Sequence, residues 1–506
     1  MAASLGPRLL LEAPGSRRSR GVAAGATEPV SAMLFYEPLF LFLFGPAVYF
    51  AYFFFGPARG PRALILLVAS VAFYGWSEPH FILTVFAAIA SDLLVARGIV
   101  SAPAGAPRRS LWLALGVGVN LAILVYFKYA GFIVANLDVA LARLGLPPVA
   151  APQVALPIGV SFIVFEKITY LVDVYRGVAA PARGPLLYSL YVFFFPKLLA
   201  GPIIKYHDIE RQFDECPHAD IDDFVAGFSR FMLGVAKKLL IADTMASGAD
   251  LVFTRDPTTL GFTEAWAGAI FFTFQIYFDF SGYSDMAIGL ARMFGFRLLE
   301  NFDMPYIAES MSDFWRRWHI SLTSWIREYL YFPLGGNRGG AARTYFNLWV
   351  CFLASGVWHG AAWPYILWGV YNGFFLILDR LFLVVALRRL PGWLANLITL
   401  ALIIVGWTIF RSTSFEQMRV MLALMAQPFR AASTPVAIPP EIILVATIAA
   451  LICVAQRIGA RRPGFDWAAC AARYPLASNS LLALLFVAAV AKGLADPFKP
   501  FIYFRF

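Results

Sequence analysis

The stretch Asn347–Leu378, NLWVCFLASGVWHGAAWPYILWGVYNGFFLIL, contains no Asp, Glu, Lys or Arg and a single histidine, His359. About 20 apolar residues are enough to carry a helix across the hydrocarbon core of a bilayer. This run is long enough to enter and leave, with its turn near Trp358-His359-Gly360. The whole chain agrees: 60% of its 506 residues are apolar and 14% charged, and the mean hydropathy is +0.69. An ordinary soluble protein is excluded. Backbone polar groups in lipid must be satisfied within their own segment, so the expected class is an all-α polytopic membrane protein.

Moving outward from that stretch, candidate spans fall near 34–55, 63–77, 80–96, 111–133, 154–173, 186–204, 225–242, 265–293, 345–358, 361–386, 394–410, 441–456 and 480–493. That gives about ten to thirteen membrane helices, not all of which need cross fully. The loops with Arg59 and Arg62 and with Arg97, Arg108 and Arg109 are basic, and the turn Ser77–His80 between them is not. The positive-inside tendency makes both basic loops cytoplasmic and starts residue 34 on the far side. In the middle of the chain Pro157, Pro196 and Pro202 interrupt apolar runs, as expected for broken or re-entrant helices lining a cavity. Residues 1–32, rich in Ala, Gly, Pro and Arg, read as a disordered tail ahead of one membrane domain over 33–506.

The net charge of +10 is spread over short loops rather than gathered on one stripe, which argues against nucleic acid as a partner. Cys216, Cys351, Cys453 and Cys470 have no CxxC spacing, so neither a disulfide framework nor a zinc ribbon is indicated. The hydrophilic stretch His207–Asp223 lacks a recognised metal-ligand spacing and reads as a solvated acidic loop. GxSxG, P-loop and GxGxxG patterns are absent, removing the usual support for hydrolase, NTPase and dinucleotide readings.

Three segments carry the polar chemistry. Tyr277-Phe278-Asp279-Phe280-Ser281-Gly282-Tyr283-Ser284-Asp285 sets two carboxylates in an apolar run. An ionised carboxylate at the bilayer centre costs about 2.5 to 3.5 kcal/mol even on lenient scales, so these groups should face protein or water. Asp279, Ser281, Tyr283 and Asp285 therefore form either the wall of a polar cavity or polar contacts between helices, and Gly282 is expected to break the helix. Residues 311–331 read as one amphipathic interfacial helix. Trp315, Trp318, Leu322 and Trp325 form one stripe, and Ser312, Arg316, His319, Thr323 and Arg327 another about 120° away. Its tryptophans would anchor at headgroup depth, and Arg316 and Arg317 would bias the protonation of His319 or bind phosphate groups. Gly335-Gly336-Asn337-Arg338-Gly339-Gly340 follows as a flexible basic turn. His359 lies deepest, where a neutral imidazole is a competent general base. Gly356 and Gly360 beside it would let a substrate chain approach the backbone.

Together with Leu156-Pro157-Ile158-Gly159-Val160-Ser161-Phe162, Asp173-Val174-Tyr175-Arg176-Gly177, Phe195-Pro196-Lys197, Ala200-Gly201-Pro202-Ile203, Trp318-His319-Ile320-Ser321-Leu322, Leu334-Gly335-Gly336-Asn337-Arg338, Val357-Trp358-His359-Gly360 and Phe501-Ile502-Tyr503-Phe504, these segments form an ordered set from about Met33 to Phe506. The set resembles the membrane-bound O-acyltransferase superfamily. The nearest branch is the bacterial one that contains the membrane subunit of alginate O-acetyltransferase and the D-alanyl transfer protein of teichoic acids. The chain departs from that pattern at Glu166, Lys167 and Lys197, charges that would tune donor or partner binding or pair with each other at helix spacing.

The resemblance implies helices around a central tunnel, with an acyl group taken from a cytoplasmic thioester and delivered to a hydroxyl on the far side. On that carry-over His359 is catalytic and His319 is the second histidine, with Trp358, Asn337, Arg316, Arg317, Asp279, Ser281, Tyr283 and Asp285 in support. Either general-base transfer or an acyl-imidazole intermediate would serve. The expected donor is acetyl-CoA with no resident cofactor or metal, D-alanyl from a carrier protein being the second choice. The expected setting is the bacterial inner membrane, with a polysaccharide acceptor and an extracytoplasmic acetyltransferase partner. A transporter or flippase using Asp279, Asp285 and His359 as a path, or a scaffold indifferent to both histidines, are the competing classes.

Overall fold

The computed structural model describes residues 33–54, 59–152, 154–462, 465, 467–496 and 501. The tail assigned to 1–32 and the terminal Ile502-Tyr503-Phe504 lie outside them. The described residues form helices, turns and coil with no strand. In order the helices are α1 (Phe40–Phe54), α2 (Arg59–Ser77), α3 (Phe81–Ser101), α4 (Pro107–Arg143), α5 (Val160–Arg176), α6 (Pro185–Phe193) and α7 (Tyr206–Glu215). Helix α8 starts as Ile221–Ala236 and runs through a π-helical turn, Lys237–Ala242, into Asp243–Phe253. There follow α9 (Phe262–Met293), α10 (Met311–Arg317), α11 (Ile320–Ile326), α12 (Gly340–His359), α13 (Trp363–Leu387), α14 (Gly392–Arg411), α15 (Phe415–Met425), α16 (Pro440–Ala460) and α17 (Pro475–Ala495). Several begin with Pro in the first turn, as α4, α6, α16 and α17 do, where its missing N–H costs nothing.

Among the described residues seven helices, α2, α3, α4, α13, α14, α16 and α17, are long and apolar enough to span a bilayer. The protein is a multi-pass, all-α membrane protein. Helices α8, α9 and α12 have the length as well; the 32 residues of α9 reach about 48 Å at 1.5 Å per residue.

Gly282 does not break α9, contrary to expectation. It is a crossing point: a Cβ there would lie 2.8 Å from the Gly234 carbonyl oxygen of α8. One heptad along, Gly227 and Gly289 repeat the contact, with a Cβ on Gly289 2.5 Å from the Gly227 oxygen. Small residues let two backbones meet where no hydrophobic force drives helices together.

The break expected in the middle of the chain is present. Helix α6 ends before Phe194, and 199–205 runs as buried coil beyond a single turn, Phe195–Leu198. Its freed backbone groups find side chains: Phe195 N donates to Ser70 Oγ (3.0 Å), Ile203 N to Ser321 Oγ (3.0 Å), and Tyr191 Oη donates to the Ile204 oxygen (2.8 Å). Irregular backbone at this depth survives only when satisfied in this way. The unusual charges belong to the same region. Glu166 and Lys167 do not pair with each other. Glu166 pairs with Lys197 across the broken helix and accepts from Ile204 N at 3.4 Å. Lys167 reaches Asp92 at 3.3 Å, which also accepts from Tyr188 (2.6 Å) and Asn120 (2.9 Å). Two of the three departures thus compensate one another.

The stretch His207–Asp223 is not a loop. It forms amphipathic α7, which buries Tyr206, Ile209 and Phe213, and the Asp220 cap of α8. Its acids hold the basic ends of other helices, Arg183 with Asp214 at 3.1 Å and Arg292 with Asp223 at 3.2 Å, while Arg62 meets His218 at 3.2 Å. Arg109 bonds the Tyr175 oxygen (2.6 Å) and Arg176 the Glu328 oxygen (3.3 Å), so these basic residues gather at one end of the bundle.

Candidate active site

The helix expected over 311–331 is broken where its chemistry lies. Helix α10, capped by Ser310 Oγ accepting from Asp313 N, ends at Arg317. Trp318 is extended and His319 left-handed, at φ +45° and ψ +54°, before α11 starts at Ile320. A non-glycine residue in that conformation costs of order 1 kcal/mol or more and persists only when its surroundings fix it. Asn301 does the fixing. Its backbone oxygen accepts from Ile320 N (3.0 Å), and its Oδ1 from Ser321 N (3.3 Å) and Ser321 Oγ (2.9 Å) while facing His319 Nδ1 at 3.1 Å. A backbone N–H can only donate, so the Asn301 atom is the oxygen and His319 carries its proton on Nδ1. Asn301 Nδ2 donates to Ser284 Oγ at 3.2 Å.

The kink also redirects the tryptophans. Trp315, Trp318 and Trp325 are buried in the protein rather than exposed on a surface stripe. Trp318 packs on Phe302 and Trp407, and Trp325 stacks on Phe165 with centroids 3.9 Å apart. His319 is wholly buried with its ring edge-on to Phe280, centroids 4.6 Å apart.

His359 is the last residue of α12. Trp358, Trp368 and Phe410 meet its ring edge-on at centroid distances of 4.9, 5.0 and 5.2 Å. The space beside Gly356 and Gly360 is taken by protein. A Cβ on Gly356 would strike Gly369 and the Tyr365 carbonyl, and one on Gly360 the Tyr365 ring. Those glycines serve the α12–α13 contact, not a substrate chain.

Trp358 joins the two histidines, its ring 6.1 Å from that of His319 and 4.9 Å from that of His359. On one side lies a cavity of about 970 Å³ lined by Arg230, Lys237, Tyr277, Ser281, Asp285 and Asn301. It adjoins the basic end, since Glu300 in its wall follows Arg297, which is bound to Asp223. A smaller pocket at the other end is lined by Lys128, Pro157, Ser161, Leu199, Trp358 and His359. Asn301, which lines the larger space, His319, Trp358 and His359, which lines the smaller one, thus form a continuous chain of contacts between the two.

The other expected site residues divide. Ser281 and Asp285 do line the larger cavity, where Asp285 is bound by Arg230 (3.0 Å) and Lys237 (2.6 Å). Asp279 is helix–helix glue: it and Asp243 flank the buried Lys238 of α8 at 3.0 and 2.9 Å. Tyr283 packs between Phe35 and Phe501. Arg317 is taken by Asp303 (3.0 Å) and Asp313 (3.2 Å), and exposed Arg316 turns back to the Ser312 oxygen. Asn337 accepts from Tyr331 and Arg380 in the turn before α12. These last three hold local structure away from the imidazoles. Asn301, Ser321 and Lys128 were missed. A lone lysine in the apolar run 111–133 was the available signal for Lys128; Asn301 gives none.

At the basic end His207 hydrogen-bonds Asp173 at 2.9 Å, and that bond lifts its proton affinity above the ordinary value. Tyr329 donates to the other Asp173 oxygen at 2.7 Å.

Residues 183–417 match the model of the membrane-bound O-acyltransferase family. The chain is 40% identical to a probable alginate O-acetylase of Pseudomonas putida, over 94% of this chain and 100% of the relative. It is 35% identical to a peptidoglycan O-acetyltransferase of Helicobacter pylori, over 76% and 78%. A teichoic acid D-alanyltransferase of Bacillus subtilis is more distant, at 25% over 57% and 79%. With the helical architecture and the match over a relative's full length, the chain belongs to the membrane-bound O-acyltransferase family and is an O-acyltransferase.

Proposed function

We propose that this enzyme takes acetyl from acetyl-CoA on the cytoplasmic side of a bacterial inner membrane and passes it to a hydroxyl on the other side, for O-acetylation of an alginate-type polysaccharide. The observation that carries the reading is the pair of histidines joined by Trp358 between the two spaces. The wide inner cavity adjoins the end where basic residues cluster, the end that the positive-inside tendency makes cytoplasmic. It has the size for the pantetheine arm of a thioester donor. The outer pocket meets His359 and suits the acceptor.

In this reading His359 removes the proton of the acceptor hydroxyl as its oxygen attacks the thioester carbonyl. The C–O bond forms, the C–S bond breaks, and the proton passes on to the departing thiolate. A base in this position contributes about 10² to 10⁴ in rate. His319, its tautomer fixed by Asn301, holds the donor end. The acetyl group is preferred over D-alanyl because the relatives named for acetyl transfer are more similar over more of the chain than the one named for D-alanyl transfer. An extracytoplasmic acetyltransferase that receives the group is the expected partner.

The test is transfer of labelled acetyl from acetyl-CoA to unacetylated alginate by purified protein with its candidate partner. His359→Ala, in protein shown to insert normally, should lower transfer by about 10² to 10⁴. Wild-type transfer by that variant would overturn the assignment, and label taken only from a D-alanyl carrier would overturn the donor.

A further inference from the structure

Every α-helix ends with carbonyls that have no partner within the helix. At the end of α12 these include Val357, Trp358 and His359, and Gly360 continues as extended backbone, so the helix does not close on itself. Two consecutive side chains of α4 take all three. Tyr129 Oη donates to the Val357 oxygen at 2.5 Å. Lys128 Nζ donates to the Trp358 oxygen at 2.7 Å and the His359 oxygen at 3.1 Å. In a regular helix neighbouring side chains point about 100° apart and cannot serve one target. Here α4 carries a π-helical turn, Val125–Tyr129, and Tyr129 relaxes to φ −112° and ψ −12°. Such turns recur at functional sites.

The cost marks the arrangement as more than incidental. A lysine within a membrane helix costs about 2.5 to 3.5 kcal/mol on insertion scales, and among the described residues no carboxylate pairs with this one. Its third donor goes to Ser161 Oγ at 3.3 Å. An ammonium has three donors, so none is left for a substrate, although Lys128 stands in the outer pocket wall beside His359. A cation there also complements the negative end of the α12 dipole.

We infer that Lys128 and Tyr129 are positioning residues for His359: they hold the final turn of α12, and with it the height and direction of the imidazole between the two spaces. The inference rests on the reading of His359 as the base of acyl transfer. Trp358, Trp368 and Phe410 wall that ring edge-on, and its place between them follows from where the helix end is held. A displacement of about 1 Å at such a site costs on the order of 10²-fold in rate.

The experiment measures kcat and KM for acetyl-CoA and for unacetylated alginate, with the full-length protein and its partner, alongside thermal unfolding in detergent. Lys128→Met keeps the aliphatic stem and removes the donors; in protein that thermal unfolding shows to be folded, kcat should fall about 10²-fold with both KM values within about twofold. Lys128→Arg should recover at least about tenfold of that loss, because two carbonyls can again be bridged. Tyr129→Phe removes one donor only and should move kcat the same way by a few-fold; it decides the matter if Lys128→Met fails to fold. Unchanged kcat in the decisive variant, or a raised KM for alginate with kcat retained, overturns the inference. Full activity in a parallel His359→Ala removes the underlying reading instead, so the two failures are distinct.

Discussion

The two histidines are both buried imidazoles, and the protein fixes them by opposite means. His319 sits in a strained left-handed turn and is clamped through its own ring by Asn301, which Ser321 and Ser284 hold in turn. His359 stands at a helix end between aromatic rings, and what secures it there is the capping of its backbone by residues some 230 positions away in the chain. A polar clamp sets a tautomer and a ring rotation at once. An aromatic cage with a capped helix end sets the position of the ring. On the proposed reading, that difference fits holding of the donor for the first and proton transfer for the second.

The sharpest way to break that division is to exchange the roles. His359→Ala should lower kcat for acetyl transfer by about 10² to 10⁴, and His319→Ala by less, about tenfold to a hundredfold, with a larger rise in KM for acetyl-CoA. Equal kcat losses at unchanged KM would show that the two are not divided in this way.

Next in size is a test of the scaffold between them. Lys197→Met leaves Glu166 buried without its cation and should destabilise the protein by about 3 to 5 kcal/mol. The double change Glu166→Gln with Lys197→Gln should recover most of this in thermal unfolding, because both charges disappear together. If the double variant is as unstable as the single one, the pair is not a closed unit.

A smaller effect sharpens the account of His319. Asn301→Leu removes the clamp and strands buried groups of Ser321 and His319, costing about 1 to 3 kcal/mol of stability. Activity should follow His319→Ala rather than His359→Ala.

The smallest effect lies far from both imidazoles. The bond to Asp173 raises the proton affinity of His207 in the folded protein. Its contribution is present below the unfolded value of about 6.5 and is lost as pH rises through the raised folded value. The wild-type unfolding temperature should therefore fall relative to His207→Gln as pH rises from about 6.5, and parallel profiles would show that His207 is not coupled to folding.

Comparing expectation with structure, the local signals were legible and the pairings were not. Pro196 and Pro202 announced the broken middle of the chain, and an uncharged run around one histidine announced His359. The 3.6-residue period over 311–331 misled, because a period is blind to a single left-handed residue that tertiary bonds can impose. Gly282 misled likewise: a glycine inside a helix is as well suited to a backbone crossing as to a break, and only the presence of Gly234 decides. Arg316 and Arg317 adjoin His319 in sequence and Asn337 belongs to a motif of the resemblance, but Arg316 bonds the Ser312 oxygen, Arg317 pairs with Asp303 and Asp313, and Asn337 accepts from Tyr331 and Arg380.

The sequence by itself determined that the chain spans a membrane as helices, which segments are interrupted, and that His359 lies in an uncharged stretch of chain, since each follows from the cost of placing backbone or charge in hydrocarbon. Only the tertiary structure decided that Glu166 answers Lys197 and Lys167 answers Asp92, that Asn301 governs His319, and that Lys128 and Tyr129 hold the end of the His359 helix. Those contacts join residues 18 to more than 200 positions apart, and a buried polar group constrains that it must have a partner without saying which one.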